Sequence, residues 1–214
     1  MTALLDPMFA PPWFSPFPPG EGPFRQKGNG YRGDLDYLDG KLAGGSKAVI
    51  AAIGSAPLRK FLEQRFVASE WYDAYPCAVL HATAARLRGV AFAGHRRDVG
   101  AYHATAAMNA MYRSLLRVVS NQTVASWGPR ISSIYFEFGK STTRVAGPNE
   151  VHGTRSGVPA GLVQFVFFAS KGFCEQALLL AGARTSSMEI SDVERSGSAY
   201  GHAVYTLSLT IRWS

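Results

Sequence analysis

Gly161-Leu162-Val163-Gln164-Phe165-Val166-Phe167-Phe168 opens a run that stays apolar almost all round to Leu178-Leu179-Leu180-Ala181, where Gly182 stops it. Further on, the chain alternates strictly. Ala203, Tyr205, Leu207, Leu209, Ile211 and Trp213 fall on one side, and Thr206, Ser208, Thr210 and Arg212 on the other. An apolar run with helical period closed by glycine is a buried helix, and a period-two run is a half-buried strand. Together they predict a long apolar helix laid on an antiparallel sheet.

Working outward, strands are expected at 132–138, 142–146, 150–155 and 186–193, with Gly139, Gly147-Pro148-Asn149 and the 197–201 stretch as turns. The first half reads as helices. Two or three short ones fall in 34–68, with Asp34 as a cap and Pro57 at a first turn. Pro76 to Arg88 forms the next, with Val79, Leu80, Thr83, Ala84 and Leu87 facing in. A longer one runs from Arg96 to Val119, with Gly100 as a break or bend. The fold class is therefore α+β: N-terminal helices, then an antiparallel sheet packed against a long apolar helix. Residues 1–30, rich in proline and aromatics, read as an extended or disordered tail that can dock through Trp13, Phe14 and Phe17. Residues 31–214 read as one domain.

Composition narrows the function. Of 214 residues 47% are hydrophobic and only 17% charged, with 12% aromatic. Few charges among many aromatics suggest apolar surface covered by a second copy, so a homodimer is expected. The net charge of +7 is partly local, in Arg86, Arg88, His95, Arg96 and Arg97. Such a basic patch can meet phosphate or an acidic protein face, but no interleaved aromatics point to nucleic acid. Cys77 and Cys174 are too few and too far apart for a disulfide framework, which reads as a cytoplasmic setting. No signal peptide is legible at the N-terminus. Gln164, Ser170, Lys171, Glu175 and Gln176 interrupt the apolar run, so it is not a membrane span.

Reaction chemistry is hard to find. Gly44-Gly45-Ser46-Lys47 inverts the Lys-Ser order of a phosphate loop, and Gly153-Thr154-Arg155-Ser156-Gly157 is not a nucleophile elbow. The histidines form no metal motif. His81 or His103 would be the place for a haem or zinc ligand, but nothing in their spacing supports one, so neither metal nor cofactor is expected. No catalytic residue stands out, and the chain reads as a non-enzyme. What remains is a set of rings and methionines suited to an apolar pocket: Trp71, Tyr72, Tyr75, His103, Met108, Met111, Phe136, Phe165, Phe168 and Tyr200. The expected ligand is a hydrophobic or aromatic small molecule or a lipid. The alternative is a ligand-free dimeric scaffold that grips an acidic partner with the basic patch.

Several segments carry a family resemblance. They are Phe66-Val67-Ala68-Ser69-Glu70-Trp71-Tyr72, Arg113-Ser114-Leu115-Leu116, the stretch from Pro129-Arg130-Ile131 to Phe138-Gly139, Ala177–Ala183, and the closing Tyr205 to Trp213. Over about residues 35–213 the chain resembles an uncharacterised family best known from myxobacteria. That family is similar in layout to a wider group of ligand-binding domains: 4-vinyl-reductase-type sensors, haem nitric-oxide sensors and transport-particle subunits. The resemblance implies a dimeric, sensor-like module for small hydrophobic molecules. Departures limit it. Glu194–His202 lacks the cysteines that hold zinc in such sensors, and no axial-histidine signature for haem is legible.

Overall fold

The computed structural model describes Phe9 and residues 13–111 and 120–214, with the side chains of 108–111 outside the description. The order is β1 (Arg25–Lys27), α1 (Gly28–Lys41), α2 (Gly45–Ala51), α3 (Ala56–Leu62), β2 (Trp71–Asp73), α4 (Ala74–Leu87), α5 (Phe92–Met111), α6 (Asn121–Ser126), α7 (Gly128–Tyr135), β3 (Lys140–Gly147), β4 (Glu150–Pro159), α8 (Val163–Leu180), β5 (Ser186–Ala199) and β6 (His202–Trp213). It is an α+β fold. The main sheet is antiparallel throughout, in the order β3-β4-β6-β5, and β1 pairs with β2 in a small ribbon.

The two segments that open the sequence reading fold as expected. α8 buries Val163, Phe165, Val166, Phe167 and Phe168, sandwiched between α5 and the sheet. β6 turns Leu207, Ile211 and Trp213 into the core. α5 and α8 cross with their backbones in contact, and glycine makes this possible. A Cβ on Gly100 would lie 2.1 Å from the Ala169 carbonyl oxygen, and one on Gly172 would lie 1.9 Å from that of Arg97. Gly100 therefore does not break α5, which runs through it; it lets α8 approach. Glu175 pins the same layer: it accepts from Arg97 Nε at 2.7 Å, Lys171 Nζ at 2.6 Å and the Met188 backbone N–H at 3.0 Å.

Asp73 joins the N-terminal segment to α4. Its carboxylate caps Tyr75 N–H at 3.0 Å and takes the N–H groups of Gly20 and Gly22. Its carbonyl accepts the Tyr31 hydroxyl, which in turn accepts Cys77 N–H at 3.0 Å. Phe9 is buried edge-on against Tyr205, 4.9 Å between centroids, and its carbonyl accepts Gln164 Nε2.

Several expectations are corrected. Residues 132–138 are not a strand. Pro129 sits in the first turn of α7, and Ile131, Ile134 and Tyr135 have helical spacing; only Phe136 bridges back to Gln26. Asp34 does not cap a helix but lies in the middle of α1, which starts early enough that the 30/31 boundary falls inside it. Leu87 is 51% exposed at the end of α4 and does not face in. β4 and β5 run past their expected ends, and Gly197 belongs to β5, leaving the turn to Tyr200 and Gly201. The expected helix beyond Met111 lies outside the described residues.

Candidate functional site

A cleft opens between α1, α5 and α8 on one side and α6, α7, β3, β4 and β6 on the other. Its cavity volume is about 120 Å³. Its body is apolar: Ile131, Phe136, Phe173, Met188, Leu209 and Ile211 all line it. Its charged groups fall in two places, one on the helical side and one on the sheet side.

The helical side is built around Asp34. On α1 the positions Tyr31, Asp34 and Leu38 share one face, and all three are fully buried. Asp34 Oδ1 accepts from Arg96 Nη1 at 2.9 Å and His103 Nε2 at 2.9 Å, and His81 Nε2 lies 3.2 Å from it. Oδ2 accepts from Gln26 Nε2 at 3.0 Å and the Cys77 thiol at 3.0 Å. Burial alone would raise this carboxyl, but the Arg96 charge, His81 and the hydrogen bonds hold it well below the usual carboxylate range. Burial, then the Asp34 charge, pushes the Cys77 thiol well up, so it stays protonated and donates. Asp34, Cys77 and His81 lie close enough to share a metal ion. The cation's place is nevertheless taken by Arg96, whose Nη1 is also 3.2 Å from His81 Nε2. Behind them His81 Nδ1 meets His95 Nε2 at 2.9 Å, and His95 Nδ1 meets Arg88 Nη1 at 2.9 Å. Burial lowers both histidines, His95 to about 2, with the neighbouring His81, Arg96 and Arg88 charges adding to its shift.

The sheet side carries Arg155. On β4 Val151, Gly153 and Arg155 alternate inward, and Arg155 is only 4% exposed. Its guanidinium lies over Phe136, 5.2 Å from the centroid, and donates to Ser141 Oγ at 3.1 Å and the Phe138 carbonyl at 3.2 Å. Its Nε has no partner, and no carboxylate among the described residues pairs with it. Burial alone lowers it to about 10. Gln26 Oε1, also on the cleft, is a second buried atom without a partner.

Of the sequence-chosen pocket residues, His103 and Phe136 line the cleft. Trp71 instead lies under Lys27 Nζ, 4.2 Å from its centroid, and the Tyr72 hydroxyl accepts Val67 N–H. Tyr75 packs on Gly161, Phe165 and Phe168 are sealed in α8, and Tyr200 is 71% exposed in a turn. The side chains of Met108 and Met111 lie outside the description. The basic patch is not a surface patch. His95 and Arg96 are buried in the Asp34 cluster, Arg97 pairs with Glu175, Arg88 is half-buried, and Arg86 is exposed. Sequence reasoning missed Asp34, Gln26 and Arg155 as site residues. Two signals were there: an acid on the apolar Tyr31/Leu38 helix face, and an arginine on the inward period of a strand.

No protein-family profile matches the chain, and no curated protein does. Solved structures do match. A Cs H-NOX mutant aligns with TM-score 0.63 at 11% identity, over 88% of this chain and 96% of its own. The Fe(II) unliganded H-NOX protein from K. algicida aligns at 0.60 and 14%, over 88% and 96%. An oxygen-binding H-NOX domain related to soluble guanylate cyclases aligns at 0.58 and 10%, over 87% and 92%. The chain thus has the fold of the H-NOX domains, in line with its resemblance to haem nitric-oxide sensors.

Proposed function

We propose that this chain is a non-enzymatic, sensor-like binding module whose cleft takes an apolar or aromatic organic acid. The observation that carries this reading is Arg155. A buried charge without a partner is costly, and it is usually paired or discharged. Here a guanidinium that lines an apolar cleft has, among the described residues, no partner for its Nε–H and no counter-ion. A ligand carboxylate beside the guanidinium would supply the missing charge, while its apolar body would lie against Ile131, Phe136, Phe173 and Leu209. An open cleft also favours this reading over a ligand-free scaffold, whose interior would be filled core. Homodimerisation, a cytoplasmic setting and membership of the myxobacterial family are parts of the same proposal.

Haem is the ligand that the structural neighbours bring to mind, since heme and Fe(II) are named for them. It would need an axial side chain here. His103 is the one described histidine on the cleft. Its Nε2 is bound to Asp34, and its Cε1–Nδ1 edge is seated in the hollow of Gly33, where a Cβ would lie 2.4 Å from Cε1 and 2.9 Å from Nδ1. His81 and His95 are sealed and bonded to each other. Burial, with Glu175 beside it, pushes the Cys174 thiol up to about 12, which keeps it from acting as a thiolate ligand. The described residues do not fit an axially ligated haem.

Matched probes test the proposal. Decanoate is expected to raise the melting temperature, and decanol, with the same chain and no charge, to do far less. Native mass spectrometry of protein purified from its own host should show a bound organic acid. Equal shifts from acid and alcohol, or no shift across a panel of alkyl and aromatic acids, would overturn it.

A further inference from the structure

The helical side of the cleft contains a hydrogen-bond chain whose direction can be deduced. A guanidinium only donates, so His95 Nδ1, 2.9 Å from Arg88 Nη1, must be the acceptor. His95 is then neutral with its proton on Nε2, which donates to His81 Nδ1 at 2.9 Å. His81 in turn carries its proton on Nε2, which faces Asp34 Oδ1 at 3.2 Å. The close approach of Arg96 Nη1 to His81 Nε2 is then two donors converging on one oxygen. The tautomers follow from the outer end, where the Arg88 contact is the shorter of the two guanidinium contacts to the imidazoles. The outer end is Arg88, the residue that closes α4. Its side chain is 27% exposed, and it also donates to the Tyr37 hydroxyl and sits 3.9 Å from Asp98.

The inner end is oversubscribed. A carboxylate offers about four lone-pair positions, and five donors compete for Asp34. The His81 contact is the longest of the five, and of the donors on Oδ1 Arg96 and His103 also line the cleft. A ligand acceptor that draws either of them away leaves more of Oδ1 to His81. In a chain of buried hydrogen bonds, strengthening one link polarises the next.

We propose that Arg88, His95, His81 and Asp34 form a one-way relay through which occupancy of the cleft alters the bonding of Arg88 at the outer end of α4. The tautomer half of this claim needs no ligand. The transmission half rests on the binding reading above. By linkage the effect is reciprocal, so a change at Arg88 must alter affinity in the cleft.

Nitrogen NMR of the full chain with labelled histidine tests the first half. His81 and His95 should each show a protonated Nε2 and an accepting, unprotonated Nδ1 between about pH 6 and 8. A protonated Nδ1 on either overturns the relay. Anilinonaphthalene sulfonate, an apolar aromatic acid followed by its fluorescence, tests the second half. The His95 Nδ1 resonance should move with the same saturation as the fluorescence. Arg88→Met should change probe affinity by about fivefold or more, and Arg88→Lys, which keeps a donor, should restore most of it. Binding with a stationary His95 signal, or with Arg88→Met within about twofold of wild type, overturns the relay and leaves the binding reading standing. If no acid probe binds, the binding reading falls. The relay is then judged on ligand-free Arg88→Met: a shifted His81 signal supports it, and an unmoved one overturns it.

Discussion

Arg96 and Arg155 face the same cleft, one from α5 and one from β4, and both are nearly sealed from solvent. Arg96 is 2.9 Å from a carboxylate, donates to the Phe165 carbonyl at 3.3 Å and stacks 4.0 Å over that ring. Arg155 has a ring, a hydroxyl and a carbonyl, but no counter-charge among the described residues. The helical side therefore carries its own counter-charge, and on the proposed reading a bound acid supplies the one that the sheet side lacks. Two buried cations of one residue type differ because only one has its anion among the described residues.

The sharpest way to break this contrast is to make Arg96 resemble Arg155. Asp34→Asn removes the counter-charge while keeping the shape. Removing one partner of a buried ion pair strands the other, which typically costs about 3–5 kcal/mol. Chemical denaturation should show a loss of that size. A loss below about 1 kcal/mol would mean that water or another group already shares Arg96.

The helical side should also reveal itself by pH. His95 is lowered from the ordinary imidazole value of 6.5 to about 2, and His81 is lowered too, with burial as the first cause in both. Protons then bind the unfolded chain more readily than the folded one. Stability is full above about pH 6.5 and falls as the pH drops below it, by about 1.4 kcal/mol per unit for His95. His95→Gln should flatten that slope. An unchanged slope in the variant would place the acid sensitivity elsewhere.

For the sheet side the expected signs diverge. Arg155→Met loses two hydrogen bonds but also removes an uncompensated charge, so ligand-free stability should stay within about 1 kcal/mol of wild type. Affinity for anilinonaphthalene sulfonate should fall about tenfold or more, which corresponds to about 1.4 kcal/mol. A variant that loses stability but keeps affinity would recast Arg155 as a structural residue.

The same contrast explains what the sequence made legible. α8 and β6 could be read because each follows one period and the core rewards that period along its length. α7 could not. Five residues holding Ile131, Ile134 and Tyr135 suit either a short strand or a short helix, and Pro129 at the first turn decides the matter. His103 and Phe136 were found because rings belong in pockets. Asp34 and Arg155 were passed over because charged residues are ordinarily exposed, and only the packed structure shows five donors around the first and none of opposite charge near the second. The run from Arg86 to Arg97 looked like one basic patch. The helical period sends its members to different sides, so His95 and Arg96 point inward while Arg86 and Arg97 stay out.

The smallest effect concerns what holds Arg155 in place without a ligand. Phe136 is the ring beneath its guanidinium, and a desolvated cation over a ring gains about 0.5–2 kcal/mol. Phe136→Leu alone mixes that loss with a change in apolar volume, so the informative quantity is the double-mutant coupling with Arg155→Met. Denaturation of the wild type, both single variants and the double should give a coupling of about 0.5–1 kcal/mol. In the helical half the ring under Arg96 is Phe165, and there Asp34 already fixes the cation. Asp34 would dominate the matching cycle with Phe165→Leu, and the ring would add less. A larger coupling at Phe165 than at Phe136 would reverse the assignment of which arginine depends on its ring.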